Sequence, residues 1–150
     1  MKAIRVLVAE DNEGDVFLVK EALRLHNLEF HLHVETDGLA AIRYIENVGH
    51  TPEAPCPDVF LLDLNLPKVD GYDVLNTLRA HHTCSRVPVI IVTSSDAPKD
   101  WRQAELLDAK HYFRKPSDLT EFMALGAVVR EAIRGTLDRT DEGTESGNAS

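Results

Sequence analysis

Asp63 follows the apolar run Val59-Phe60-Leu61-Leu62 and precedes Leu64-Asn65-Leu66-Pro67, which puts a carboxylate where a buried strand opens into a loop. Other apolar runs end in polar groups of matching chemistry. Glu10-Asp11 follows Ile4 to Ala9, Thr93-Ser94 follows Val89 to Val92, and Lys115-Pro116 comes just after His111-Tyr112-Phe113. If these runs are parallel strands of one sheet, all four groups emerge at its carboxyl edge, where open α/β sheets bind their ligands. Three carboxylates so close would repel one another unless a cation intervened. Magnesium is the expected cation, with Asp11, Asp63 and the backbone carbonyl of Asn65 as ligands and Glu10 acting through water. A carboxylate nucleophile such as Asp63 forms an acyl phosphate when phosphoryl transfer is assisted by positioning and charge neutralisation. Lys115 would supply a compact cation for one phosphate oxygen and the Thr93 hydroxyl a hydrogen bond for another.

Each feature has a plainer reading by itself. An acidic pair before a helix is ordinarily a cap in a favourable dipole field, Thr93 is a strand end, Lys115 before Pro116 is a surface turn, and Asp63 caps a loop. The coincidence of all four at one sheet edge favours the chemical reading.

The elements that would position these groups alternate along the chain. Short apolar runs at Ala3–Ala9, Phe30–Glu35, Asp58–Leu62, Val89–Val92 and Lys110–Phe113 read as strands, and the stretches between them have helical spacing. That alternation predicts βα units around a parallel sheet. The Val/Ile/Leu character of the first, third and fourth runs indicates burial on both faces. Helices are expected from Glu13 or Gly14, with Asp11 or Asn12 as N-cap, from Asp37, from Gly71-Tyr72, from Pro98, and from Ser117 to Arg134. The segment from Asn47 to Pro57, with Pro52, Pro55 and Pro57, reads as a loop. Residues 1–134 form one expected domain, and 135–150 read as a flexible acidic tail.

Composition narrows the class. A chain of 150 residues with 43% hydrophobic and 27% charged residues suits one globular domain. No apolar run approaches the roughly 20 residues of a membrane span. The net charge of −9 disfavours binding to DNA. Cys56 and Cys84 have no Cys-x-x-Cys spacing and read as two structural thiols in a reducing cytoplasm. The seven histidines, His31, His33 and the His81-His82 pair beside Cys84 among them, lack a third metal ligand at diagnostic spacing and read as surface groups.

The motifs Val8-Ala9-Glu10-Asp11-Asn12, Leu62-Asp63-Leu64-Asn65-Leu66-Pro67-Lys68-Val69-Asp70-Gly71, Val92-Thr93-Ser94 and Tyr112-Phe113-Arg114-Lys115-Pro116 resemble the receiver domain of two-component response regulators. The resemblance covers roughly residues 3–134, and the spacings from Asp63 to Thr93 and from Thr93 to Lys115 match as well. It implies a flavodoxin-like doubly wound (βα)5 fold with a five-stranded parallel sheet in the order 2-1-3-4-5. It also implies Asp63 as phosphoacceptor, Glu10 and Asp11 as the acidic pocket for Mg²⁺, Thr93 and Tyr112 as switch residues, and Lys115 as phosphate contact. A cis peptide before Pro116 is implied too, and Asn65 and Ser95 fall at positions that tune dephosphorylation. The phosphoryl donor would be the phosphohistidine of a sensor histidine kinase.

The stretch Glu10–Val16 and the long loop before the third strand further resemble the short regulators paired with bacterial phytochromes. That subgroup implies a phytochrome-type kinase, an unknown downstream protein, and a homodimer through the fourth helix, fifth strand and fifth helix. A signalling phosphoacceptor without an output domain is therefore expected, rather than an enzyme. Asp108-Ala109 departs from the Gly-Ala common before the fifth strand in receivers. Two other classes fit less well. An aspartate-nucleophile hydrolase wants a carboxylate where Asn65 stands, and a flavin or nucleotide module wants a Gly/Ser-rich loop where Glu10-Asp11-Asn12-Glu13 stands.

Overall fold

The computed structural model describes residues 2–134, so the acidic tail expected over 135–150 lies outside the described residues. Five strands, β1 (Ile4–Ala9), β2 (Phe30–Glu35), β3 (Val59–Leu62), β4 (Val89–Thr93) and β5 (His111–Arg114), form one parallel sheet in the order β2-β1-β3-β4-β5. Between them run α1 (Glu13–Leu25), α2 (Gly38–Asn47), α3 (Gly71–Ala80) and α4 (Pro98–Leu106), and after β5 comes the short α5 (Leu119–Phe122). This is the flavodoxin-like order expected from the sequence.

Alternation along the strands builds two cores, because successive strand side chains point to opposite faces. Leu7, Ala9, Phe60, Leu62, Val89 and Ile91 face α2, α3 and α4 and pack with Ile45, Leu75, Leu78 and Ala104. Val6, Val8, Val59, Leu61, Ile90 and Val92 face α1 and the C-terminal helical segment and pack with Val19, Leu23, Phe122, Leu125 and Val129. β3 and β4 are buried throughout, which explains why their sequences are apolar without alternation.

Helix starts are set by short polar side chains. Asn12, Asp37 and Asp70 each accept a backbone N–H of the first turn, from Asp15, Ala40 and Tyr72 respectively. The C-terminal helix departs from expectation: its N-cap is Asp118 rather than Ser117, α5 stops at Phe122, and helix resumes over 125–134. The cause lies in the hydrogen bonds. The N–H groups of Met123, Ala124, Gly126 and Ala127 bond three residues back, and the Met123 carbonyl also accepts His26 Nε2–H at 3.1 Å. The strained turn at Asp108, at φ +60°, takes the left-handed conformation that the more usual glycine would adopt without cost.

The two cysteines are a correction. Cys56 and Cys84 are not separate thiols but a disulfide, with Cα atoms 5.6 Å apart. The proline-bearing loop before β3 folds back over the end of α3 and brings them within bridging distance, a long-range approach that their spacing in the chain could not reveal. Among the described residues no helix is long and apolar enough to cross a membrane.

At the same end of the sheet, the Arg79 guanidinium clamps four backbone carbonyls. It donates to Leu107 (2.7 Å), Ser85 (3.0 Å), Val87 (2.7 Å) and Asp108 (3.0 Å), joining α3 to the segments before β4 and β5. Arg79→Leu should lower unfolding free energy by about 2–4 kcal/mol in urea melts, because the carbonyls lose a charged donor. Reduction of the disulfide, which closes a loop with a sequence separation of 28, should cost about 3.5 kcal/mol by the loop-entropy relation. Melts of the oxidised protein, with and without reductant, measure that second quantity.

Candidate functional site

Strand register assembles the site. Ala9 pairs with Leu62, so the next residues, Glu10 and Asp63, leave adjacent strands side by side. Thr93 pairs with Arg114, so Lys115 follows at the neighbouring strand end, and its N–H donates to the Thr93 carbonyl at 2.8 Å. One carboxylate oxygen each from Glu10, Asp11 and Asp63 lie within 4.8 Å of one another. Glu10 and Asp63 are buried, and Asp11 is exposed.

Gly71 permits the tight path of the loop beyond Asp63. Its N–H donates to the Leu64 carbonyl, and a Cβ there would stand 2.7 Å from Leu64 Cα and 2.9 Å from the Asp63 backbone carbonyl oxygen. Alanine at 71 would therefore push the loop after Asp63 and the start of α3 apart.

The Lys115 ammonium is the centre of the cluster. It lies 2.6 Å from Glu10 Oε1, 2.8 Å from Asp15 Oδ2 and 2.9 Å from Asp63 Oδ2. Burial alone would depress its pKa, but the hydrogen bonds to Asp15, Asp63 and Glu10 outweigh that and push it up. Glu10 is pushed up to about 7, chiefly by burial and further by the Asp63 charge, with the Lys115 bond opposing. A single ammonium does not balance Glu10, Asp11, Asp15 and Asp63, so the pocket retains excess negative charge. Its donor set is all oxygen, with carboxylates clustered on one side, which fits a hard divalent cation.

Asp15 was missed by sequence reasoning. It stands in the first turn of α1, the ordinary place for an acidic residue beside the helix dipole, so no local signal set it apart.

The remaining expected residues take distinct places. Thr93 is fully buried at the end of β4, and Ser95 N–H approaches its Oγ1 at 3.4 Å. Asn65 is exposed two residues beyond Asp63, and its N–H donates to Asp63 Oδ1 at 3.1 Å. Tyr112 is half-buried on β5, and its hydroxyl donates to the Ser95 carbonyl at 2.8 Å. Phe113, on the strand expected to take part in a dimer, packs edge-on against Phe122 in the core. The peptide before Pro116 is trans, as are all peptides of the described residues, contrary to the cis form expected. Trans is the intrinsically favoured isomer even before proline, and Lys115 reaches all three carboxylates with it. Among the histidines, His31 and His33 are exposed on β2. His81 is buried instead, with Nε2–H donating to the Val48 carbonyl and Nδ1 accepting from Thr83 and Cys84 N–H groups.

Known proteins resemble this chain in sequence and fold. Response regulator Rcp1 of Synechocystis is 32% identical over 120 residues, covering 80% of this chain and 82% of Rcp1. The crystal structure of the phosphorylated cyanobacterial phytochrome response regulator RcpA superimposes with a TM-score of 0.79 at 30% identity, covering 90% of this chain and 96% of RcpA. The receiver domain of sensor histidine kinase PA1611 from Pseudomonas aeruginosa, with magnesium coordinated in its active-site cleft, matches with a TM-score of 0.69 at 25% identity over 88% of this chain and 98% of that one. A model of the response regulator receiver domain matches residues 6–126, and the chain accordingly belongs to that family, a receiver of two-component signalling.

Proposed function

We propose that Asp63 accepts a phosphoryl group from the phosphohistidine of a sensor histidine kinase, of phytochrome type by its relatives, and that the resulting acyl phosphate switches the surface of the protein. The observation that carries this reading is the convergence of Asp63, Glu10 and Asp11 with the Lys115 ammonium at one buried strand edge. An Asp63 oxygen attacks phosphorus, the P–N bond breaks, and the imidazole leaves with the electron pair and takes up a proton.

Asp11, Asp63 and the backbone carbonyl of Asn65 would hold Mg²⁺, with Glu10 linked through water. When bound, the ion neutralises carboxylate charge and the charge developing on the phosphoryl oxygens. Lys115 exchanges part of its carboxylate pairing for a phosphate oxygen, and the Thr93 hydroxyl takes another. Thr93 and Tyr112 then relay the change to the β4–α4 loop. Asn65 and Ser95 border the site at positions from which they tune the loss of the phosphoryl group.

The protein acts as a stoichiometric signalling phosphoacceptor rather than a turnover enzyme, in the cytoplasm, and passes its state to a downstream protein. Trp101, Leu106 and Leu119 are large apolar side chains left exposed on α4 and α5, which supports a homodimer through α4, β5 and α5. Light scattering over a concentration series should then show dimer, and a monomer with and without beryllofluoride would contradict it.

The decisive experiment treats the protein with Mg²⁺ and acetyl phosphate and reads intact mass. Wild type should gain one phosphoryl group and Asp63→Asn none, because the variant keeps the shape of the side chain without a nucleophilic carboxylate oxygen. Labelling that persists in the variant refutes the assignment.

Proton and metal should compete at Glu10. Because its folded pKa of about 7 lies above the ordinary value of 4.5, the folded metal-free protein binds this proton more tightly than the unfolded chain. The associated stability is complete at low pH and fades as pH rises from 4.5 through about 7. Mg²⁺ affinity should move the opposite way and strengthen as pH passes 7, as calorimetric titrations would show. Glu10→Gln should flatten that pH step.

A further inference from the structure

The helix α4 is attached to the body of the protein by polar bonds more than by apolar packing. Ala104 is its one buried side chain, Trp101 and Leu106 are exposed, and its N-cap residue Ala97 supplies no side-chain bond. What holds its first turn is the Asp100 carboxylate. Oδ1 accepts the Tyr72 hydroxyl of α3 at 2.9 Å, and Oδ2 accepts the Ser95 hydroxyl of the β4–α4 loop in a short hydrogen bond. The same Tyr72 hydroxyl lies 3.1 Å from the Asp100 carbonyl. Ser95 in turn accepts the Tyr112 hydroxyl at its carbonyl, and the Trp101 ring packs against Tyr112 with centroids 5.7 Å apart. α3, the loop after Thr93 and α4 are thereby joined through one carboxylate, and β5 is tied to the same loop through the Ser95 carbonyl.

Hydrogen bonds to a charged acceptor are the stronger kind and are costly to lose when half-buried. Thr93 lies two residues before Ser95, and the Ser95 N–H rests against the Thr93 hydroxyl oxygen. A Thr93 side chain drawn toward a phosphorylated Asp63 therefore displaces Ser95 and pulls on the Asp100 bonds. We propose that Asp100, with Tyr72 as its anchor on α3, is a positioning residue that latches the β4–α4 loop and α4 in the unphosphorylated arrangement and so sets how readily phosphorylation switches the protein. The inference rests on Asp63 being the phosphoacceptor, and it adds two residues, Tyr72 and Asp100, that lie outside the cluster of Glu10, Asp11, Asp63 and Lys115.

Two variants test it. Tyr72→Phe removes the anchoring hydroxyl and leaves the ring. Asp100→Asn preserves shape but removes the charge and one acceptor oxygen. Each is titrated with beryllofluoride, whose fluorides stand in for phosphoryl oxygens on the carboxylate, at fixed Mg²⁺, with amide shifts as readout. A latch predicts a beryllofluoride midpoint roughly three- to tenfold lower than wild type. It also predicts that amides of residues 94–101 in the free variants move along the path from free to bound wild type. The Mg²⁺ midpoint should stay unchanged, and the double variant should gain no more than Asp100→Asn alone. Midpoints that are unchanged or raised, with free-state amides at their wild-type positions, overturn the latch while the Asp63 reading stands. A wild type that fails to respond to beryllofluoride and Mg²⁺ overturns both. Should Asp100→Asn not fold, Tyr72→Phe carries the test, since loss of one hydroxyl leaves the packing of its ring in place.

Discussion

The Lys115 ammonium is the interaction on which the rest of the site depends. Glu10, Asp15 and Asp63 converge on it within 2.9 Å, and without a cation their mutual repulsion in a buried setting would open the strand edge. The ammonium is held by geometry that begins far from it. Parallel pairing aligns Ala9 with Leu62 and Thr93 with Arg114, so β1 and β3 end level, β4 and β5 end level two residues further on, and the side chains that follow meet at one edge. A point charge on a flexible stem suits this position, because it can change partners as the charge beside it changes. A rigid bidentate donor would fix one pairing and resist that exchange.

Rigidity is unevenly distributed around this centre. β3 and β4 are buried throughout and anchor Asp63 and Thr93 from behind, while α4 lies against the same sheet with a single buried side chain. Interiors packed like crystals move little, so a change at the strand edge is expressed where apolar contact is thin. The helix bearing exposed Trp101 and Leu106 is where apolar contact is thinnest, and a short loop joins it to β4 beside the charge cluster.

The strands and their ends could be read from the sequence because central strands of a parallel sheet are buried on both faces and leave uninterrupted Val/Ile/Leu runs, with polar residues only where the sheet stops. Glu10, Asp11, Asp63, Thr93 and Lys115 could be placed at the strand ends for that reason. Features made by long-range approach were not legible. The Cys56–Cys84 bond depends on where the proline-bearing loop folds back, and burial of His81 on the end of α2. The break at 123–124 arises from a contact between His26 of α1 and the Met123 carbonyl, invisible in a local pattern that reads as one continuous helix. Asp15 was hidden differently: in the first turn of a helix an acidic residue is already accounted for by the dipole, and nothing local announces a second role.

The clamp made by Arg79 has a consequence for how this sequence can drift. Its four partners are main-chain carbonyls, of Ser85, Val87, Leu107 and Asp108, and every amino acid carries that acceptor. The constraint therefore falls on Arg79 and on the path of the backbone, while these four side chains are free of it. Substitutions can accumulate around the clamp without loosening it, and one arginine amid a variable neighbourhood is the evolutionary trace that such an anchor would leave.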